Sequence, residues 1–253
     1  MIIYYTHFQS RSFKKYTKMM GLSFLKLFGV RILLLENNET YRGGFVWIPD
    51  WIDVPGEMSK LQRYIDKRST IGKTTFTFLV CGYIEHRKCV GELINALDAI
   101  KARYPTRDFQ LRVIGEWENG YFNEMKSLMR KHRGYLLSLM KKYVSDEQLL
   151  TELAKSDCVI AVYRRHVGSS GIVNLSIGLR KRVLFVPSGY LGQLSNRLEF
   201  TGLPQSTSAS SIALAINEGW DEGLVPNYSS DKAEEYVEER SLMNFKNAFY
   251  GNN

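Results

Sequence analysis

The sequence predicts an α/β fold: a parallel sheet with helices on both faces and a short N-terminal extension. Three observations carry that prediction. From Phe76 onward, short apolar runs alternate with segments of helical spacing, as strands joined by crossover helices do. Two of the runs close on a glycine, Gly82 and Gly115, where a strand can turn out of its sheet. The third is the stretch Cys158-Val159-Ile160-Ala161-Val162, which leads through Tyr163-Arg164-Arg165-His166-Val167 into Gly168-Ser169-Ser170-Gly171, with Val183-Leu184-Phe185-Val186 beyond. Strand, glycine-serine turn, helix and strand aim bare backbone N–H groups at a phosphate, and the helix dipole adds partial positive charge. The same pattern also reads as a small-residue turn that caps a buried helix.

Each element has its own signal. Phe76-Thr77-Phe78-Leu79-Val80-Cys81 reads as a buried strand that ends at Gly82. Leu93, Ile94, Leu97 and Ile100 give residues 91–104 helical spacing, and Pro105 stops the helix. Phe109 to Ile114 is the next strand, and Tyr121 to Lys131 a helix with Phe122, Met125, Leu128 and Met129 on one face. Leu136 to Met140 reads as a strand. Ser145-Asp146-Glu147-Gln148 is a capping box that opens a helix to Lys155. After Pro187-Ser188-Gly189 a helix is expected to Phe200, another from Ser208 to Glu218, and a single last helix from Asp231 to Tyr250.

The first sixty residues differ. A helix is expected over Ser12 to Phe28 and strands over Val30 to Leu35 and Gly44 to Ile48. That is too little for an independent domain. The chain divides into a partial N-terminal segment, 1–60, and a main domain, 61–253, with the boundary between Gly56 and Thr70.

Composition bounds the function. With 253 residues, 44% apolar and 24% charged, the chain can bury a core without disulfides. Its three cysteines, Cys81, Cys89 and Cys158, form no Cys-x-x-Cys pair, and its four histidines lack metal-ligand spacing. Three reduced thiols, no metal and a cytoplasmic location are the expectation. No secretory leader is visible. The most apolar window, about 19–35, carries Lys26 and Arg31 and breaks at Gly29, too charged and short to span a bilayer. A net charge of +8 suggests an anionic partner. Nucleic acid is set aside, because no aromatic-basic motif of a known DNA- or RNA-binding fold occurs. Arg11, Lys14, Lys15 and Lys18, with Tyr4, Tyr5, Phe8, Phe13 and Tyr16 near them, suit either a solvated helix face or peripheral contact with a membrane's inner face.

In an open parallel sheet, ligands bind outside the C-terminal strand ends. Those ends here carry Gly82 to Lys88, Gly115-Glu116-Trp117, Val144-Ser145, the stretch His166 to Asn174, and Ser188 to Gly192. Glycines, cations and hydroxyls therefore collect on one rim, suited to a nucleotide diphosphate.

This order of elements resembles the C-terminal, donor-binding domain of GT-B glycosyltransferases of the retaining family 4 type. The resemblance covers about 48–250. It rests on Ile48-Pro49-Asp50, Gly82…Arg87-Lys88, Val113-Ile114-Gly115, Val144-Ser145-Asp146-Glu147-Gln148-Leu149 with Ser156-Asp157-Cys158-Val159 (the family's SDEEL…ADV), and Gly168-Ser169-Ser170-Gly171 with Lys181-Arg182-Val183-Leu184. It implies a Rossmann-like nucleotide-sugar domain, a UDP- or GDP-linked donor, a carbohydrate or lipid-linked acceptor, and no metal or other cofactor. By resemblance, Lys88 and Arg87 are catalytic candidates; His166, just before the turn, reads as a third that faces the donor sugar or phosphate, or as a strand-end polar residue. The resemblance implies that Gly82, Arg87, Lys88, Gly168, Ser169, Ser170 and Gly171 hold the diphosphate and that Gly115, Val144 and Ser145 line the base; Asn174 is the candidate ribose contact in place of the family's glutamate. The chain departs from the family at Tyr83, where an arginine is usual, and at Val167 to Ser176, which lacks the usual glutamates. Two functions stay open: sugar transfer, with a separate acceptor-binding subunit or a second copy of the chain, and nucleotide-sugar binding without turnover. His86 reads as loop surface and Trp117 as a half-buried loop anchor or a base-stacking ring. Arg164 and Arg165 read as solvated strand-end residues or as contacts to anionic acceptor groups.

Overall fold

The computed structural model describes residues 2–4, 21, 24, 25, 27–30, 32–34, 46–48, 50–52, 75–130, 134–166, 168–223 and 225–250. Two parallel sheets organise them. The first joins β1 (Ile2–Tyr4), β2 (Ile32–Leu34) and β3 (Val46–Trp47) in that order. The second contains β4 (Phe76–Cys81), β5 (Phe109–Gly115), β6 (Leu136–Lys141), β7 (Cys158–Ile160) and β8 (Arg182–Leu184), in the order β6-β5-β4-β7-β8. All four of its pairings are parallel. The helices are α1 (Val90–Arg103), α2 (Tyr121–Met129), α3 (Asp146–Lys155), α4 (Gly171–Gly178), α5 (Gly189–Arg197), α6 (Ala209–Asp221), α7 (Ser230–Glu239) and α8 (Leu242–Tyr250).

Strand alternation sends side chains to two cores. On one face Phe78, Val80, Leu111, Val113, Cys158 and Ile160 pack with Leu93, Ile94 and Leu97 of α1 and Ile212 and Ile216 of α6. On the other, Leu79, Cys81, Ile114 and Val159 meet Leu150 and Leu153 of α3, Val173 and Ile177 of α4, and Tyr236 of α7. The three cysteines are buried and free. Burial pushes the Cys81 and Cys158 thiols up to about 12, so they behave as core hydrophobes.

The main sheet matches the sequence expectation strand for strand, and Ser145 caps α3 by accepting the Gln148 N–H at 3.3 Å. One expectation is corrected. The tail is two helices, not a single helix from Asp231 to Tyr250. The break falls at Arg240, which is buried and whose carbonyl accepts the Ile52 N–H at 3.0 Å. A carbonyl turned toward another segment cannot continue the helical ladder. In the N-terminal part, β2 and β3 lie within the expected strands, and β1 was not expected. Most of the expected helix from Ser12 to Phe28, the basic cluster Arg11 to Lys18 and the boundary at 56–70 lie outside the described residues. No helix among the described residues is long and apolar enough to cross a membrane.

Candidate functional site

The chain builds β4, β5 and β6 outward to one side, then returns to place β7 on the other flank of β4. The crevice between the C-terminal ends of β4 and β7 is the switch point where ligands bind in such sheets. Two loops meet there. After β4 the chain turns at Gly82, where φ is 93°, and makes one 3-10 turn, His86–Lys88. After β7 it runs through Tyr163 to the glycine-serine turn. The Arg164 N–H donates to the Arg87 carbonyl at 2.7 Å and ties the loops together.

Lys88 is only 7% exposed. Its Nζ donates to the Cys81 carbonyl and lies 5.4 Å from the centre of the Tyr163 ring. Among the described residues no carboxylate comes within ion-pair distance of it. Burial holds the ammonium below the ordinary lysine range, because charge taken out of water without a counter-charge is unfavourable. Gly82 is adjacent: a Cβ there would come 3.2 Å from Lys88 Nζ. The Tyr163 hydroxyl lies 3.4 Å from Ser170 Oγ, so this ring connects the cationic loop to the turn.

Arg87 ion-pairs with Glu85 at 2.8 Å and hydrogen-bonds His166 Nδ1 at 2.9 Å. A guanidinium only donates, so Nδ1 accepts and the imidazole proton sits on Nε2. From there it donates to the Ser169 carbonyl at 3.2 Å. His166 therefore bridges Arg87 to the turn as a neutral ring, with both nitrogens occupied. Ser170 caps α4, its Oγ accepting the Val173 N–H at 3.4 Å. The N–H groups of Gly171 and Ile172, in the first turn of α4, make no hydrogen bond among the described residues. Open N–H groups at a helix start are of the kind that suits an anion.

Ser169 and Asn174 converge on a residue the sequence reading gave no role. Ser169 Oγ and Asn174 Nδ2 both donate to Asp50 Oδ2, at 2.9 and 3.1 Å. Asn174 is 2% exposed, and its Oδ1 accepts from the Tyr236 hydroxyl at 2.8 Å. The expected ribose partner is thus engaged at both ends of its amide. Tyr163 was likewise unassigned. The available signals were a large ring at the mouth of a buried run and a carboxylate just past a strand.

The expected base-side residues are placed differently. Gly115 ends β5 against Gly82: a Cβ on it would sit 1.7 Å from the Gly82 carbonyl oxygen. Its own carbonyl accepts the Lys142 N–H at 3.0 Å. Val144 packs on the second core, and Ser145 is the helix cap already described. Trp117 is a buried loop anchor, its Nε1 donating to the Met140 carbonyl at 3.2 Å. His86 is on the surface between Glu118 and Glu124, at 2.9 and 3.1 Å. The Glu118 hydrogen bond, chiefly, raises its pKa. Arg164 pairs with Glu92, and Arg165 is exposed with φ at 56°. Among the described residues no group of three or more His, Cys, Asp or Glu side chains is placed to hold a metal ion.

No protein-family model and no curated protein sequence matches the chain. Solved structures do. A trehalose-6-phosphate synthase superposes with a TM-score of 0.65 at 12% identity, covering 99% of this chain and 67% of that one. HepE from Anabaena, solved with UDP and glucose, gives 0.60 at 14% identity, covering 99% and 70%. The C-terminal domain of LpcC, a group 1 family glycosyl transferase from Francisella tularensis, gives 0.54 at 14%, covering 76% and 96%. The chain spans about half, 48%, of the N-terminal domain of a Candida albicans trehalose-6-phosphate phosphatase. At these identities the likeness is one of fold, and the fold is that of the GT-B glycosyltransferases.

Proposed function

We propose that this chain is a glycosyltransferase that takes its sugar from a UDP- or GDP-linked donor and passes it, with retention, to a carbohydrate or lipid-linked acceptor. Lys88 carries the reading. A buried cation with no carboxylate in ion-pair reach among the described residues, at a switch-point crevice, is stabilised by an arriving anion. The open N–H groups of Gly171 and Ile172 face the same need from the other loop. Breaking a sugar–phosphate bond builds negative charge on the departing diphosphate, and charge placed beforehand lowers that barrier. Lys88 and the α4 start supply it, Arg87 and His166 hold the turn in place, and the reading calls on no metal. The fold agrees, since HepE, of the same fold, was solved with UDP and glucose.

Binding without turnover is the second reading. It is supported by residues 167–176, which contain no Asp or Glu, and by the occupied ring of His166. Titrating UDP and GDP by calorimetry, then following sugar release from UDP- and GDP-sugars with candidate acceptors, separates the two. Micromolar binding with turnover is the expected result. Binding without turnover selects the second reading, and no binding removes both.

A further inference from the structure

The contacts of Asp50 point to a further ligand-recognition group at this rim. We propose that Asp50 accepts hydrogen bonds from vicinal hydroxyls of the nucleotide sugar, an inference that rests on the nucleotide-sugar reading above. Its Oδ2 is fixed from two sides, by Ser169 Oγ at 2.9 Å and Asn174 Nδ2 at 3.1 Å. Asn174 is itself held by Tyr236 at 2.8 Å in a buried bond, so the carboxylate is oriented by a chain of bonds that is anchored in the core. The second oxygen, Oδ1, makes no hydrogen bond among the described residues, and Asp50 is partly exposed.

A carboxylate repels phosphate, so this oxygen does not serve the diphosphate. The ligand's neutral hydroxyls, on ribose and hexose, are donors, and an ionised carboxylate is the strongest acceptor a protein offers them. The turn has no acidic residue of its own between 167 and 176. The fold brings one in from 119 residues away. The arrangement also divides labour at Ser169. Its single hydroxyl proton is given to Asp50, which leaves backbone N–H groups, not this side chain, to meet the phosphates.

Three ligands test this on the full chain: inorganic pyrophosphate, UDP and UDP-glucose, or GDP and GDP-mannose if guanine is preferred. Asp50→Ala is expected to weaken the nucleotide sugar about tenfold or more relative to pyrophosphate. If UDP weakens equally, the ribose is the partner; if only UDP-glucose weakens, the hexose is. Asp50→Asn keeps an oxygen for Ser169 and Asn174 while removing the charge, so it preserves the turn and should show the same selectivity at smaller size. It also carries the test if Asp50→Ala does not fold. An equal change for all three ligands in both variants would reduce Asp50 to a support of the turn and overturn the proposal. A wild-type chain that binds none of the three overturns the nucleotide-sugar reading first, and this inference with it.

Discussion

Two halves of one rim are built by different rules. At the ends of β4 and β7, among the described residues, the chain buries the Lys88 ammonium without a counter-charge and leaves the first N–H groups of α4 open. At the ends of β5 and β6, polar groups are satisfied locally: Ser145 caps α3, Lys142 bonds Gly115, and Trp117 bonds Met140. Folding drives polar groups to find partners. Where, among the described residues, it gives a buried charge a carbonyl but no counter-charge, stability has been given up, and a ligand is the simplest reason. The β4–β7 half is therefore the strong candidate for binding, and the β5–β6 half chiefly supports it.

The sharpest way to break this contrast is at the seam. Gly115→Ala would drive a methyl group to 1.7 Å from the Gly82 carbonyl oxygen, backbone against backbone, at a residue whose φ is 152°. The Gly82 turn must move, and Lys88 with it. We expect a stability loss of about 3 kcal/mol or more and loss of nucleotide binding. Denaturant unfolding and calorimetry measure both. A variant with wild-type stability would mean the loops do not abut.

Much of this architecture was legible in the sequence. Near-continuous apolar runs define β4 and β7 because both faces of the sheet are covered there, while β5 keeps half-buried Gln110 and Arg112 between its apolar residues. The capping box at Ser145 and the turn at Gly168 to Gly171 are local chemistry, readable from neighbours. What escaped depends on distant partners. The break at Arg240 goes with a bond to Ile52, and its one local sign is Ser241, whose Oγ accepts the Asn244 N–H at 3.3 Å at the start of α8. Asp50 and Tyr163 gain their roles only when the fold sets them against Ser169, Lys88 and Ser170. Asn174 was read as a ribose contact because its position in the turn is visible in sequence. Its two partners, Asp50 and the buried Tyr236, are not.

A smaller but more diagnostic effect is expected at Lys88. Lys88→Met removes a buried cation with no counter-charge and keeps its aliphatic bulk, so the ligand-free protein should gain about 1–3 kcal/mol. Affinity for UDP or GDP should fall roughly 10- to 100-fold. The pH dependence has a definite sign. Burial lowers the pKa of Lys88 in the folded state, so over the interval between folded and unfolded values the unfolded chain binds more protons. Stability of the wild type then rises with pH across that interval, and the methionine variant lacks the rise. Unfolding at several pH values checks this. A destabilised variant with unchanged affinity would make Lys88 a structural lysine.

The mildest prediction probes the satisfied half. Ser145→Ala deletes the oxygen that accepts the Gln148 N–H, and loss of a helix cap costs about 1 kcal/mol. If this half only supports the rim, affinity for UDP and for pyrophosphate should stay within about twofold of wild type, a change of roughly 0.4 kcal/mol. The two measurements then part company, stability falling while binding holds. At Lys88 both move, in opposite directions. A selective loss of UDP affinity in Ser145→Ala, with pyrophosphate unchanged, would instead put the nucleobase against α3, and both halves of the rim would then contact ligand.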